Sequence, residues 1–210
     1  MTTDGRVARG DRTRAAVLHR AVALATEAGL DGLSLGQLAE ALGVSKSGLF
    51  AHWRSKEELQ LATIDYARQQ WVERVVTPAL AAPRGVRRLW ALHQSRMDFY
   101  AADILPGGCF FANTQFEFNA RPGPIRDRLA EGFTDWMALL ERLAAEAVEQ
   151  GELVPTADPR QLAYEIESLG MTAVMQVRLL SHTGYAYARR SVLARLRALC
   201  TDPSLLPEEP

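Results

Sequence analysis

The segment from Gly43 to Leu59, GVSKSGLFAHWRSKEEL, concentrates side chains that can bind an anion. These side chains belong to Lys46, Ser47, His52, Arg54 and Lys56. The whole chain has 24 basic residues, and Lys46 and Lys56 are its two lysines. Ammonium, guanidinium, hydroxyl and imidazole groups are the donors that proteins present to phosphates and base edges. The segment therefore indicates contact with a polyanion; the simpler alternative is a solvated helix face.

Two helix-start patterns frame this segment. Ser34 precedes Gln37 by three residues and Ser55 precedes Glu58 by three, which is the spacing of a capping box. Gly43 lies between them and tolerates the positive φ of a sharp turn. The spacing predicts a short helix that ends at Gly43, a second short helix, and a longer helix that begins after Ser55.

The second short helix has the features of a recognition helix. Ser45 can cap it, and Leu49 and Trp53 supply its apolar side. Small residues such as Ser47 allow close approach to bases, while Lys46 can reach a guanine or a phosphate. A helix, a glycine turn and such a second helix predict a helix-turn-helix unit that enters the DNA major groove.

The rest of the chain has helical periodicity without sustained strand alternation. Its 210 residues are 48% apolar and 23% charged, an ordinary globular composition. We expect an all-α fold of about nine helices, with a helix-turn-helix domain at residues 1–60 and a ligand-binding and dimerisation domain at residues 61–210. No segment approaches the roughly 20 apolar residues of a membrane span, and the N-terminus lacks the apolar run of a secretory signal, so we expect no membrane partner and a cytoplasmic location.

The stretch LSLGQLAEALGVSKSGLFAHWRSKEEL resembles the TetR family of bacterial transcriptional regulators. The resemblance in motif covers about Thr13 to Leu61; beyond it, the likeness is one of length, helical content and order. It implies that Ser34, Lys46, Ser47, Phe50, His52 and Lys56 contact DNA, and we add the capping residue Ser45 to this set. Two departures are Phe50, where tyrosine is common, and Gly36, where some members carry a base-reading basic residue.

Aromatic residues and methionines with interleaved polar groups mark the middle helices. Buried polar groups need partners, and a small-molecule effector in an apolar pocket is one such partner; ordinary core packing is the alternative. The resemblance implies that such pockets bind inducers. The predicted lining consists of Phe99, Phe110, Asn113, Phe116, Glu117, Trp136, Met171 and Met175.

Apolar stripes on the last two long helices predict a homodimer interface, with packing inside one chain as the alternative. The predicted interface consists of Leu162, Ile166, Leu169, Ala173, Val177, Leu193 and Leu196. The combined prediction is a regulator, a repressor in the first instance, that binds palindromic double-stranded operator DNA as a homodimer and is released by a small molecule.

Other classes of protein remain open at this point. They are a DNA-binding protein without a ligand and a helical enzyme. The sequence contains no catalytic or metal-ligating pattern, so we expect no catalytic residues, no metal site and no cofactor.

Overall fold

A computed structural model describes residues 4–43, 45, 47, 49, 52–180 and 183–210. The predicted all-α class is confirmed, because the chain is 75% helical and the described residues form no strand. An isolated antiparallel bridge joins Leu153 to Cys200. The helices are α1 (Asp4–Ala28), α2 (Leu35–Leu42), α3 (Lys56–Trp71), α4 (Thr77–Leu80), α5 (Val86–Ala101), α6 (Phe110–Phe118), α7 (Pro124–Glu149), α8 (Pro159–Leu179) and α9 (Thr183–Leu199). A π-helical turn, Val72–Val76, joins α3 to α4.

Helix boundaries follow the signals in the sequence at several places. Helix α1 ends at Ala28, before Gly29 with its φ of 81°. Asp158 caps α8 by accepting the amides of Arg160 and Gln161, and Pro159 occupies the first helical position, where a missing N–H costs nothing. The chain stays helical through Pro78 to Leu80, because Pro78 lies in the first turn of α4, where proline is tolerated.

The chain divides into two units, and the first is discontinuous in sequence. It comprises the residues up to Gln69 together with Leu105–Ala130. It therefore contains α1, α2, α6 and most of α3, and α1 is packed against α6. The buried side chains of this unit include Leu30, Leu38, Leu49, Trp53, Ile64 and Phe110.

The second unit comprises Gln70–Ile104 and Glu131–Pro210. Helix α9 packs against α8 and α5. Its core is built from aliphatic side chains of α5, α7, α8 and α9, among them Leu89, Leu92, Leu140, Leu143, Leu162, Ile166, Val192, Leu193 and Leu196. A continuous apolar core of this kind fixes the positions of the few polar side chains that it encloses.

Candidate nucleic-acid interface and ligand site

Ser34 and Gly43 define the two ends of α2. The Ser34 hydroxyl accepts the amide of Gln37 at 3.1 Å, which is the cap that the sequence predicts. Gly43 has a φ of 62°, and its amide returns to the carbonyls of Ala39 and Glu40. Helix α2 is therefore a short, well-terminated element, and the glycine that follows it turns the chain sharply.

The segment between α2 and α3 carries most of the predicted DNA contacts. Lys46 and Phe50 lie outside the described residues. Ser45 and Ser47 are exposed, with their hydroxyl oxygens 3.3 Å apart, and His52 is half-buried. The amides of His52 and Trp53 both donate to the Leu49 carbonyl, which gives a tight turn before α3.

Helix α3 begins with the second cap that the sequence predicts. The Ser55 hydroxyl accepts the amide of Glu58 at 3.0 Å. The Glu58 carboxylate in turn accepts the amide of Arg54 at 2.7 Å, one residue earlier than in the standard capping box. Lys56 follows as the first residue of α3.

Arg14 of α1 holds the turn before α3 in place. Its guanidinium stands 4.9 Å from the centroid of the buried Trp53 ring, and it donates to the His52 carbonyl at 3.4 Å. A guanidinium over an indole face is a favourable cation–π arrangement.

An exposed cluster, which we call the surface triad, joins Asp31 to Lys56 and Arg121. Lys56 Nζ lies 2.9 Å from Asp31 Oδ1 and also bonds the Asp31 carbonyl, and Arg121 Nη1 lies 3.0 Å from Asp31 Oδ2. The Lys56 hydrogen bond and charge, with a smaller contribution from Arg121, lower the pKa of the Asp31 carboxyl. Lys56, a predicted phosphate contact, is therefore held by a carboxylate here.

Glu117 and Asn113 of α6 bind the backbone around the end of α1. The Glu117 carboxylate accepts the amides of Leu30 and Asp31 at 2.8 and 2.9 Å. Asn113 donates to the carbonyls of Thr26 and Gly107, both at 3.0 Å. Both residues belong to the predicted ligand set, and their polar groups are occupied by hydrogen bonds within the first unit.

The second unit encloses an ion pair, which we call the buried pair, between Arg96 of α5 and Glu167 of α8. The two N–H···O distances are 2.7 and 3.2 Å, and the side chains are only 3% and 9% exposed. Trp136 Nε1 also donates to Glu167, at 2.6 Å, and Arg96 Nε donates to the Tyr100 hydroxyl at 3.0 Å. A Cβ on Gly170 would lie 2.4 Å from Arg96 Nη1, so only glycine leaves room for this guanidinium.

Aromatic rings surround the buried pair. The Arg96 guanidinium lies 5.6 Å from the Tyr100 ring centroid and 5.5 Å from that of Trp136. Trp71 joins the cluster, with ring centroids 5.6 Å from Phe99 and 5.3 Å from Trp136. The structure thus places two residues of the predicted ligand set, Phe99 and Trp136, beside one ionic centre.

His93 lies one helical turn before Arg96 on α5. Among the described residues, neither of its ring nitrogens makes a hydrogen bond of normal geometry, and its side chain is buried. Burial, followed by the charge of Arg96 and that of Arg189, lowers the pKa of His93 to about 3, although the Ala188 backbone partly offsets the fall. The imidazole is therefore neutral at physiological pH.

The other members of the predicted ligand set are dispersed. Phe110 is buried in the core of the first unit, whereas Phe116 of the same unit is 64% exposed. Met171 and Met175 lie on α8, the first partly buried and the second half exposed. The sequence pattern grouped residues of similar chemistry that the fold assigns to different units.

Most residues of the predicted dimer interface are already buried within one chain. Leu162, Ile166, Leu193 and Leu196 belong to the core of the second unit, Ala173 is also buried, and Leu169 and Val177 are partly buried. Packing within the chain, the alternative left open by the sequence, accounts for the buried side chains. Among the described residues, the large apolar side chains that α8, α9 and the turn between them expose are Tyr164, Met175, Leu179, Leu180 and Tyr187.

Comparison with known proteins identifies the family. Residues 17–63 match the family described as "Bacterial regulatory proteins, tetR family", and residues 85–193 match "Tetracyclin repressor-like, C-terminal domain". The second match alone spans more than half of the chain. The chain belongs to the TetR family of bacterial transcriptional regulators.

Two solved structures and one curated protein illustrate what this chain is similar to. A TetR transcriptional regulator from Chloroflexus aurantiacus has a TM-score of 0.84 and 27% identity, over 91% of this chain and 98% of that one. AibR, solved with isovaleryl coenzyme A and operator DNA, has a TM-score of 0.67 and 20% identity over 90% and 98% of the two chains. The transcriptional repressor ComR of Escherichia coli is 24% identical over 151 residues, 71% of this chain and 72% of its own length.

Of the site residues that the sequence did not predict, Arg96 was marked by a signal in the sequence. Arg96 lies between Leu92 and Tyr100 at spacings of four, and a charge on the apolar stripe of a helix is unusual. Asp31 and Arg121 had no such signal, because both are ordinary polar residues beside turns.

Within the described part of the chain, no helix is long and apolar enough to span a membrane.

Proposed function

We propose that this TetR-family regulator is a ligand-responsive repressor, which binds a palindromic operator as a homodimer and is released by a small-molecule inducer. The proposal rests on one observation, the framing of a helix-turn-helix. Helix α2 ends at a glycine cap, a tight turn follows at His52–Trp53, and α3 starts with a serine cap. The structure solved for AibR, a relative with the same fold, contains both an acyl coenzyme A and operator DNA.

The DNA-contacting set consists of Ser34, Ser45, Lys46, Ser47, Phe50, His52 and Lys56. The exposed hydroxyls of Ser45 and Ser47 face solvent between α2 and α3, where a recognition helix meets the bases. Lys56 is the first residue of α3, and the N-terminus of a helix also favours a phosphate. On DNA, the Lys56 ammonium exchanges the Asp31 carboxylate for a phosphate oxygen.

A homodimer supplies a second recognition helix for the second half-site of the operator. A single recognition helix reads too few bases to specify an operator, and successive major grooves on one face of DNA lie about 34 to 36 Å apart. The large exposed apolar residues of α8, α9 and the intervening turn supply a surface for the partner. The partly buried Leu169 and Val177 of α8 add to this surface. A ligand that favours a conformer with the wrong spacing lowers the affinity for DNA.

The first experiment measures binding to the DNA upstream of its own gene by fluorescence anisotropy, with unrelated DNA as competitor. If no specific binding appears there, selection from random sequences follows. Tight binding that resists competitor, with two chains per site, is the expected result. Specific DNA enriched by neither route would refute the proposal.

A matched pair of variants tests the interface. Lys56→Ala removes a proposed phosphate contact, whereas Arg160→Ala removes the same charge from an exposed position in the second unit. We expect Lys56→Ala to lower affinity and to reduce the slope of log K against log salt by about one, since each phosphate contact contributes about 0.9 to that slope. Arg160→Ala should leave the slope unchanged. Equal slopes in the two variants would remove Lys56 from the interface.

The dimer surface has its own test by light scattering. Leu179→Glu places a charge on an exposed leucine of α8, and Leu80→Glu does so on an exposed leucine elsewhere in the second unit. We expect only the first variant to become monomeric.

The second candidate function is a regulator without an effector, which would bind DNA but respond to no small molecule.

A further inference from the structure

Three N–H groups converge on the carboxylate of Glu167. They are Nη1 and Nη2 of Arg96 and Nε1 of Trp136, at 2.7, 3.2 and 2.6 Å. Paired donors from a guanidinium are the preferred partners of a carboxylate, and their planar fork fits its two oxygens. We call these three N–H groups the donor cradle. It has the geometry of an anion site, and the chain's own carboxylate fills it.

Core stability does not by itself explain such a cradle. Burying two opposite charges costs desolvation energy, and apolar residues of the same volume often serve as well or better. Here both charges are buried beside the rings of Tyr100 and Trp136, and the absence of a side chain at Gly170 leaves room for the guanidinium. The nearby His93 adds a neutral buried imidazole without a normal hydrogen bond among the described residues. Polar groups held in an apolar surround are typical of ligand sites.

The surroundings of the cradle select the chemistry of the ligand. Trp71, Phe99 and Trp136 are each only partly buried, so the aromatic cluster has accessible ring surface for an apolar group. The ring faces of Tyr100 and Trp136 already hold the Arg96 cation, and a second cation beside it would be repelled. An anion with an apolar body therefore fits the site, and a cation does not.

We propose that the donor cradle is the effector site, and that the effector is a small carboxylic acid with an apolar body whose carboxylate replaces that of Glu167 on Arg96 and Trp136. This inference rests on the proposed ligand-responsive function. No covalent bond changes in the exchange. Glu167 lies on α8 together with the exposed Tyr164 and Met175, so its displacement acts on the helix that carries part of the proposed dimer surface.

Calorimetric titration of the full chain without DNA tests the site. The probes are benzoate, phenylacetate and hexanoate, their neutral amides, and benzyltrimethylammonium as the cation. We expect at least one acid to bind, with its amide at least tenfold weaker, because the amide lacks the charge that the guanidinium recognises. Absence of binding by all three acids, or equal binding of acid and amide, would overturn the proposal.

Variants of the cradle distinguish exchange from a purely structural role. Glu167→Gln removes the competing charge at nearly constant shape, so the acid should bind about tenfold more tightly. Trp136→Phe removes one donor and should weaken binding several-fold. The double variant Arg96→Met/Glu167→Gln leaves no unpaired buried charge, so it should fold as judged by circular dichroism and lose the acid altogether.

The sign of the Glu167→Gln effect decides the mechanism. Weaker acid binding in Glu167→Gln would mean that Glu167 supports the site rather than competing for it. Binding of the cation that is lost in Glu167→Gln would mean a site of the opposite charge. Either result would overturn the proposal. DNA binding is measured separately, so a protein that binds operator but no acid refutes this inference alone, and one that binds acid but no specific DNA refutes the proposed function.

Discussion

The surface triad of the first unit and the buried pair of the second use the same chemistry in opposite surroundings. The side chains of Asp31, Lys56 and Arg121 are about half exposed, whereas those of Arg96 and Glu167 are almost inaccessible. Exposed ion pairs contribute little to stability and are screened by salt. Removing one partner of a buried pair leaves an uncompensated charge. The exposed cluster can therefore exchange partners readily, while the buried one can exchange a partner only if the remaining charge is compensated.

Breaking the buried pair on one side gives the largest expected effect. Arg96→Met should lower the free energy of unfolding by about 3 to 5 kcal/mol, because Glu167 stays buried without its cation. Arg96→Met/Glu167→Gln should recover most of this loss. Urea denaturation of the two variants and the wild type measures the coupling. An additive double variant would show that the two charges act independently.

The neutral His93 beside the buried pair predicts a dependence on pH. Its pKa is lowered to about 3 by burial and by the charges of Arg96 and Arg189, whereas the unfolded chain takes up the proton near pH 6.5. Stability is therefore complete above about pH 6.5, and His93 should contribute a loss of up to about 1.4 kcal/mol per pH unit as pH falls toward 3. Denaturation between pH 4 and 8 measures the slope. His93→Leu should reduce it, and an unchanged slope would assign it to other groups.

Substitution of Gly170 tests the packing around the buried pair without changing a charged residue. Gly170→Ala places a methyl group against Arg96 Nη1, so the guanidinium must shift away from Glu167. We expect a loss of about 1 to 3 kcal/mol from this overpacking, measured by urea denaturation. Gly132→Ala is the matched control, because nothing lies within 4 Å of the added Cβ. Equal changes in the free energy of unfolding for the two substitutions would argue against close packing of Gly170 on Arg96.

The surface triad should give the smallest change in stability. Asp31→Asn should alter the free energy of unfolding by no more than about 1 kcal/mol, because all three side chains are well exposed. DNA affinity should rise a few-fold at low salt, since Lys56 no longer needs to leave a carboxylate. Anisotropy titrations at several salt concentrations test this, and lower affinity would mean that Asp31 orients Lys56 for DNA.

The local features were predictable from the sequence, and the long-range pairs were not. Ser34 and Ser55 cap their helices as the spacing indicates, because a cap depends on three or four neighbouring residues. Arg96 and Glu167 lie 71 residues apart, and no local pattern states which distant helix a charge will meet. The family resemblance, by contrast, rested on a local motif and was confirmed.

The ligand set illustrates the same limit. Glu117 has the chemistry of a ligand anchor, yet its carboxylate accepts amides 86 and 87 residues earlier in the chain. Residue type and periodicity identify a polar group among aromatic residues, but they do not reveal its partner. Phe99 and Trp136, both in the predicted set, contact the ring of Trp71, which was not in the set, and the prediction did not include the ion pair beside them.

The contacts of Glu117 and Asn113 also bear on how the first unit unfolds. These two side chains of α6 satisfy backbone groups at the end of α1, so neither segment is complete without the other. Amide hydrogens of Leu30 and Asp31 should therefore exchange with solvent at the rate at which α6 detaches. A fragment that stops at Gln69 would expose both amides and would be expected to open more often than the intact chain.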